Sequence, residues 1–264
     1  MNRIAVAFAA LSATLALGLA APAADDDKPI RLLIITGDNV GAHDWKATTK
    51  SFEEFLADKS HGRIKVDVTT SPSKDLTEEK LAKYDVLLLN YRDTPKGAEE
   101  SKWSDQNKEA FLKAVREGKG LVVAHFASAA FPDWIEFEKA IAGGWRKQGY
   151  HGPAHAYPVK KTNESHPISE GLVDKFDHVV DELYQNSLLT PGSTVLATAY
   201  SDPNKPRGTG KDEPVIWVNV YGKGRVYNNA LGHDVKAMAD PAYQAWMVRG
   251  IEWAATGKVD PSVK

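Results

Sequence analysis

The chain has 264 residues, with 33 lysines and arginines against 35 aspartates and glutamates, and it contains no cysteine. A formal net charge of −2 offers no polycationic surface to nucleic acid or anionic lipid, so we expect neither as a partner. The lack of cysteine excludes disulfides, thiolate nucleophiles and cysteine zinc sites.

The N-terminus has the pattern of a secretory signal peptide. Arg3 precedes an apolar run over residues 4–20, and the small residues up to Ala23 suit a cleavage site. A retained membrane anchor is the alternative, but the run is short and rich in alanine, and no cysteine is present for acylation. We therefore predict a signal peptide at 1–23, cleaved after Ala23, and a linker over 24–29. The mature protein is expected to be periplasmic or secreted, without attachment to a membrane.

Short apolar runs alternate with amphipathic helical stretches through the first half of the chain. The runs predicted as strands cover residues 30–37, 63–70, 85–91 and 121–126. This alternation predicts an α/β fold with a doubly wound, mostly parallel sheet and helices on both faces. Because ligands of such sheets bind beyond the carboxyl ends of the strands, the loops at 38–45, 90–93 and 125–134 are the expected binding region.

The second half of the chain is richer in β structure. Two predicted strands flank the turn YGKG at 221–224 and form a hairpin. A closing helix is predicted through 240–257, with a proline near its start and a glycine at its end. We predict one domain over 30–257 with a β-rich C-terminal elaboration, followed by a tail at 258–264.

Six of the eight histidines fall in predicted loops or at strand ends. These are His43, His125, His151, His155, His166 and His233. At a cleft, imidazoles transfer protons near neutral pH or, together with a carboxylate, bind Zn²⁺ or Mn²⁺. His151 and His155 are four residues apart, but Gly152 and Pro153 between them argue against a helix. The two rings converge only if this loop folds over the strand ends.

Other polar positions are interpreted one at a time. His125 follows a predicted strand at the turn that carries a nucleophile in related architectures, yet no cysteine stands there. Asp181 and Glu182 are adjacent, so their side chains point to opposite faces of a strand, and we favour Glu182 for the cleft. For His178, an outward-facing position fits the pattern as well as an inward one. Asp44 suits a helix N-cap.

Six motifs stand in an order and spacing that match a known family. They are HDWKATT, GLVVAHFASAAFPDW, YHGPAH, SHPISEGL, DELYQ and PVIWVNVYGKGRVYNNALGHD. From residue 30 to residue 257 the chain resembles the ThuA-like (trehalose utilisation) family. The resemblance implies a class I glutamine amidotransferase-like, flavodoxin-like fold without the catalytic cysteine. The turn HFASAAF departs from the acidic turn that is usual in the family, so the role of this turn stays open.

The resemblance also implies a function in carbohydrate metabolism. Members of the family look like partners of sugar dehydrogenases that make 3-keto-glycosides, so a functional link to such a dehydrogenase is expected. The C–H bonds beside the carbonyl of a 3-keto sugar are acidic, and a base there forms an enediolate that a cation or an imidazolium stabilises. Return of the proton to the neighbouring carbon isomerises the sugar, whereas loss of the glycosidic oxygen cleaves it.

Roles for single residues follow from the family motifs and the chemistry. The positions singled out by the resemblance are His43, His125, His151, His155, Glu182 and His233. We assign proton transfer to His125, His155 and Glu182, and a divalent metal, zinc or manganese, to His151, His155 and His233. The substrate-binding residues are predicted to be His43, Asp44, Trp45, Trp134, Trp145 and Tyr184.

Two alternatives from other classes of protein remain at this point. One is a non-catalytic carbohydrate-binding protein that uses the aromatic residues for sugar contact. The other is a metal-dependent hydrolase of unoxidised glycosides, although the carboxylate pair that glycosidases usually need is not evident. A small carbohydrate is the expected ligand in each case, and no nucleotide is expected.

Overall fold

The computed structural model describes residues 28–38, 40–93 and 101–264, and the predicted signal peptide lies outside these residues. The helices are α1 (Trp45–Lys59), α2 (Pro72–Asp75), α3 (Glu78–Leu81), α4 (Asp105–Arg116), α5 (Ile135–Ile141), α6 (Val235–Met238) and α7 (Pro241–Thr256). The strands are β1 (Ile30–Ile35), β2 (Ile64–Thr69), β3 (Val86–Leu89), β4 (Gly120–Ala124), β5 (Gly143–Gly144), β6 (Tyr150–His151), β7 (His155–Lys161), β8 (Lys175–Asp181), β9 (Tyr184–Gln185), β10 (Leu188–Leu189), β11 (Thr194–Tyr200), β12 (Asp212–Tyr221) and β13 (Gly224–Asn229).

A nine-stranded sheet in the order β2-β1-β3-β4-β13-β12-β11-β7-β8 forms the centre of the described structure. Neighbouring strands from β2 to β13 are parallel, and the remaining neighbours are antiparallel. The predicted α/β class with its flanking helices is confirmed. The β-rich elaboration extends the same sheet through β12, β11, β7 and β8, and the predicted hairpin joins β12 to β13.

The parallel strands β1, β3 and β4 are covered on both faces of the sheet, whereas the edge strand β2 is partly exposed. Along β1, Leu32 and Ile34 pack in the same core as α1 and α7, whereas Leu33 and Ile35 pack in the core that contains α4 and α5. All four side chains are fully buried. Because successive side chains of a strand point to opposite faces, a strand covered on both sides has an unbroken apolar sequence.

The helices begin and end at residues that suit their positions. Asp44 accepts hydrogen bonds from two backbone N–H groups in the first turn of α1, which confirms its capping role. Ser104 caps α4 through a capping box with Asn107. The closing helix α7 starts at Pro241 and ends before Gly257, whose φ of 81° is left-handed. Within the described residues, no helix combines the length and the apolar character needed to cross a bilayer.

The C-terminal segment predicted as a tail packs against the domain. Arg249 of α7 is 1% exposed and donates hydrogen bonds to the carbonyl oxygens of Asp260 and Val263. Val263 is itself buried. These contacts attach the last residues of the chain to the core around α7.

Candidate functional site

Four side chains with metal-ligating atoms converge at the carboxyl ends of the strands. His43 lies in the loop after β1, His125 directly after β4, Glu182 directly after β8, and His233 in the segment after β13. One ligand atom from each residue lies within 4.8 Å of the others. We call these four residues the His/Glu cluster. The sheet brings them together although they are far apart in the sequence, at the edge where such sheets bind ligands.

His125 occupies a strained backbone position as the first residue of the 3-10 turn that follows β4. Its φ of 40° lies in the left-handed region, which costs a residue other than glycine about 1–3 kcal/mol. Its Nδ1 lies 2.7 Å from the carbonyl oxygen of Ala230. Because a carbonyl only accepts, Nδ1 donates this hydrogen bond. Nε2 therefore faces the cluster, 3.4 Å from Glu182 and 2.8 Å from the Tyr184 hydroxyl.

The carboxylate of Glu182 lies among three imidazoles. Its Oε2 is 3.4 Å from Nε2 of His125 and 3.3 Å from Nδ1 of His233, and its Oε1 is 3.5 Å from Nε2 of His151. Burial opposes ionisation, but the contacts with His125 and His233 outweigh it and hold the pKa of Glu182 well below its usual range. The contact of its Nδ1 with the Glu182 carboxylate in turn raises the pKa of His233. Glu182 is therefore ionised at neutral pH.

His43 is distinguished by two buried ring nitrogens that have no hydrogen-bond partner among the described residues. Its ring centroid lies 4.5 Å from that of Phe126 and 4.7 Å from that of His233. Burial, followed by the charges of His125 and His233, lowers the pKa of His43 to about 3, so the ring is neutral at physiological pH. A buried imidazole without partners destabilises a fold unless a ligand uses its lone pair.

The donor set of the His/Glu cluster, three imidazoles and one carboxylate, fits Zn²⁺ or Mn²⁺. His43 is neutral and Glu182 is ionised, which are the protonation states that metal binding requires. The carbonyl of Ala230 supplies the outer hydrogen bond that typically orients a ligating histidine, here His125. Of the predicted metal ligands, His233 alone belongs to this cluster.

An aromatic wall, formed by Trp145, His151 and Tyr184, borders the cluster. The Trp145 ring centroid lies 5.7 Å from that of His151 and 4.6 Å from that of Tyr184. Nδ1 of His151 donates to the carbonyl of Gly152 at 2.7 Å, so its Nε2 is the nitrogen that faces Glu182. The side chain of His151 is 37% exposed. Tyr184 is buried, and burial raises the pKa of its hydroxyl, which therefore stays protonated.

His155, predicted to act in both catalysis and metal binding, has its contacts outside the His/Glu cluster. It begins β7 and pairs in register with Asp181 of β8. Its Nδ1 bonds to the carbonyl of Pro153 at 3.0 Å, and its ring packs on Tyr157 with centroids 5.5 Å apart. The loop therefore brings His151 to the carboxylate of Glu182 but turns the His155 ring elsewhere.

The tryptophans predicted to contact substrate occupy different places. Trp145 lies in the aromatic wall. Trp45 is the first residue of α1, and the ammonium group of Lys46 lies 5.6 Å from its ring centroid. Trp134 stacks on Phe137, with centroids 5.7 Å apart, and packs against the core that contains α4 and α5. The predicted contact of Trp134 with substrate stays a prediction.

Three charged residues near the cluster are absent from the predicted site. Arg92 follows β3, and its charge contributes to the lowered pKa of His43, after the larger effects of burial, His125 and His233. The position of Arg92 just after a parallel strand is the sequence signal that could have identified it as a site residue. Asp181 and His178 are both buried, so the inward orientation of His178 is the one that occurs. His178 contacts Asp181, and Asp181 accepts a hydrogen bond from the backbone N–H of His233. The spacing of these residues in the sequence does not indicate such contacts.

Comparisons with known proteins bear on the whole domain. A family model, ThuA, described as trehalose utilisation, matches residues 31–254. A crystal structure from Parabacteroides merdae, described as a ThuA-like protein, is 31% identical, covers 88% of this chain and 92% of its own, and has a TM-score of 0.75. Another, from Bacteroides uniformis, is 22% identical, covers 93% and 100%, and has a TM-score of 0.68.

More distant structures share the fold alone. Agd3, described as a novel carbohydrate deacetylase, is 10% identical, with 85% of this chain and 32% of that chain covered and a TM-score of 0.58. No curated protein matches the sequence. The family model and the Parabacteroides structure nevertheless cover nearly all of the described domain. The chain therefore belongs to the ThuA family, whose description is trehalose utilisation.

Proposed function

We propose that the protein is a sugar-processing enzyme that acts on oxidised (3-keto) disaccharides or glycosides by removing a proton from the carbon beside the carbonyl. The observation that carries the proposal is the convergence of His43, His125, Glu182 and His233 beside an accessible imidazole and an aromatic wall. Membership of a family described as trehalose utilisation supports a sugar as the substrate.

The His/Glu cluster would hold a divalent metal, zinc or manganese, through its three imidazoles and the Glu182 carboxylate. Such an ion, when bound, polarises a carbonyl as a Lewis acid and stabilises negative charge on its oxygen. The low pKa of His43 keeps this ring available as a neutral donor across the physiological range. The Ala230 carbonyl holds the His125 ring in one orientation.

His151 is the best-placed residue to take the proton from the sugar. Its Nε2 is the unprotonated nitrogen of the neutral ring, because Nδ1 donates to Gly152. The partly exposed side chain reaches solvent, so the ring can approach a bound sugar and can exchange its proton with water. The carboxylate of Glu182, 3.5 Å away, stabilises the imidazolium that forms.

Tyr184 would return the proton, and Trp145 would orient the sugar. The Tyr184 hydroxyl keeps its proton and lies 2.8 Å from Nε2 of His125, so it is an O–H donor inside the site. Trp145 offers a flat apolar face beside His151. Return of the proton to the former carbonyl carbon, with transfer of the neighbouring hydroxyl proton to the former carbonyl oxygen, moves the carbonyl. Expulsion of the glycosidic oxygen, which takes up a proton as it leaves, breaks the sugar linkage.

The substrate of this reaction requires a preceding oxidation. A sugar dehydrogenase that oxidises the 3-hydroxyl of a glycoside would supply it, and we propose a functional link to an enzyme of that class. We also propose that the protein is exported, on the strength of its N-terminal pattern. The intact mass of the protein recovered from the periplasm should then correspond to a chain that begins at Ala24; a mass that retains Met1 would contradict export with cleavage.

Deuterium exchange tests the proposed chemistry most specifically. The metal-loaded protein is incubated with 3-keto-trehalose in D₂O, and NMR follows deuterium at the carbons beside the carbonyl together with any product. We expect exchange and turnover that stop with a chelator and that are absent with unoxidised trehalose. Release of reducing sugar from unoxidised trehalose would instead indicate a hydrolase. Binding without exchange or turnover would indicate a carbohydrate-binding protein and would refute the proposal.

A further inference from the structure

A buried histidine connects the His/Glu cluster with the start of α7. His178 of β8 is 1% exposed. Its Nε2 lies 2.9 Å from Oδ2 of Asp181, and its Nδ1 lies 2.7 Å from Oδ2 of Asp240. Because ionised carboxylates only accept hydrogen bonds, both nitrogens of His178 donate, and the ring is an imidazolium held between two acids.

The charges of this triad agree with the geometry. Burial lowers the pKa of His178, but the hydrogen bonds with Asp181 and Asp240 outweigh it and raise the value to about 9. For both aspartates, burial opposes ionisation, and the hydrogen bond with His178 outweighs it and lowers the pKa. The triad is therefore fully ionised at neutral pH.

Asp181 holds two separate segments of the site. Its Oδ1 accepts from the backbone N–H of Glu182 at 2.8 Å and from that of His233 at 3.0 Å. Its Oδ2 accepts from the backbone N–H of Gly232 at 2.7 Å. The strands that lead to Glu182 and His233 are β8 and β13, and β12, β11 and β7 lie between them in the sheet. Asp181 thus joins two segments that no direct strand pairing connects.

The other end of the triad is anchored in the core. Asp240 is the N-cap of α7, and its Oδ1 accepts from the backbone N–H of Ala242 at 2.8 Å. The positive end of the helix dipole favours this carboxylate. Most residues of α7 are buried, so the helix gives the triad a rigid support.

We propose that His178 is a positioning residue: by holding Asp181, it sets the separation of Glu182 and His233 and thereby the affinity of the His/Glu cluster for a divalent metal. The Glu182 and His233 side chains lie 3.3 Å apart under this constraint. The effect on metal affinity rests on the proposed function, which includes a metal at the His/Glu cluster. The positioning of the Glu182 and His233 side chains does not depend on that proposal. A buried ion triad that served stability alone would leave metal affinity unchanged when it is altered.

The test compares His178→Gln with His166→Gln. His166 is a half-buried histidine whose Nδ1 accepts from the N–H of Ile168 and whose ring packs on Trp253, so its loss is a matched control for removal of an imidazole. Cobalt titration, followed by visible absorption and by competition with a chelator, gives the affinity. We expect His178→Gln to bind cobalt about 10–100-fold more weakly than the wild type, and His166→Gln to match the wild type. Equal affinity in His178→Gln would overturn the inference.

A readout without metal separates this inference from the proposed function. Imidazole ¹⁵N chemical shifts at one pH should change for His233 in His178→Gln and stay constant in His166→Gln. If the wild type binds no metal but these shifts change, the metal proposal fails and the positioning role stands. If the wild type binds metal while affinity and shifts are unaffected, the positioning role fails and the metal proposal stands.

A milder variant covers the case in which His178→Gln does not fold. Asp240→Asn keeps a good N-cap residue for α7 but removes the negative charge that faces Nδ1 of His178. We expect a smaller loss of cobalt affinity and a smaller change in the His233 shifts, both in the same direction. Wild-type affinity and unchanged shifts in a folded Asp240→Asn protein would contradict the positioning role.

Discussion

The imidazole rings of His43 and His233 lie 4.7 Å apart at an interplanar angle of 70°, yet their pKa values are displaced in opposite directions. Burial and the neighbouring histidines lower the pKa of His43, whereas the contact with the Glu182 carboxylate raises that of His233. One ring of the cluster therefore stays neutral, and the other tends to hold a proton until a metal displaces it. Measurements of stability and pH dependence can distinguish the two rings.

Replacing His43 by leucine should keep or raise the free energy of unfolding of the metal-free protein. The change removes two buried nitrogens without partners among the described residues, so we expect a gain of about 0–1 kcal/mol. Urea unfolding at pH 7 measures it, with His61→Asn, at the exposed end of α1, as the control. A loss of more than about 2 kcal/mol would reveal a structural role and would count against a functional one.

The metal-free wild type should lose stability as the pH falls from about 6.5 toward 3 because of His43. In this range the unfolded chain binds a proton at His43 and the folded protein does not, so the stability present above 6.5 is lost on acidification. At pH 5 the loss is about 1 kcal/mol, half of the full linkage value because the ring is partly exposed.

The pH effect is measured as a difference between two proteins. His43→Leu lacks the titrating ring, so its unfolding free energy should fall less than that of the wild type between pH 7 and pH 5. His233 does not imitate the effect, because its pKa is raised: its contribution is complete below about 6.5 and is lost as the pH rises through its folded value. Parallel curves for the two proteins would disprove the role of His43.

Exchanging His151 for glutamine should lower kcat about 100-fold or more, whereas the same change at His155 should leave kcat near that of the wild type. His151 presents Nε2 beside Glu182, while His155 packs on Tyr157 outside the cluster. Steady-state kinetics on the keto sugar, together with cobalt binding, make the comparison. A large loss of kcat in His155→Gln with normal kinetics in His151→Gln would reverse the assignment.

The Tyr184→Phe variant should lose about 100-fold in kcat while metal binding is retained. The substitution removes the O–H donor next to His125 and keeps the aromatic ring, so we expect KM to change little and stability to fall by about 1 kcal/mol. Tyr227→Phe is the matched control, because that buried hydroxyl accepts from Asn229 in the core. Comparable kinetic losses in both variants would indicate a packing effect in place of proton transfer.

The parallel half of the fold is predictable from local patterns. The run from Leu32 to Ile35 is apolar at every position because both faces of β1 are covered, and the capping roles of Asp44 and Ser104 follow from their side chains. The sequence does not reveal how far the second half extends the same sheet. The pairing of β7 with β11 and β8 depends on contacts between residues far apart in the sequence. No fixed spacing of residue types in the sequence predicts this pairing.

The sequence predicts which residues form the candidate site better than it predicts what each residue does there. The strand ends indicate His43 and His125, and the alternation of side chains favours Glu182 over Asp181. The sequence around His43 and His155 cannot decide which of them contacts substrate and which binds a metal. Only the strand order of the folded sheet brings residues 43, 125, 182 and 233 together. Asp181 supports the site through hydrogen bonds from the backbone N–H groups of Gly232 and His233. The spacing of residues in the sequence does not indicate these bonds.

The measurement that tests the metal centre most directly is the metal content of the full protein after reconstitution and removal of free ions. Elemental analysis is performed on the wild type, His43→Leu, Glu182→Gln and the control His61→Asn. We predict one zinc or manganese ion per chain in the wild type and the control, and a large loss of bound metal in the two cluster variants. A wild type that retains no metal, or cluster variants that retain as much as the wild type, would contradict the account.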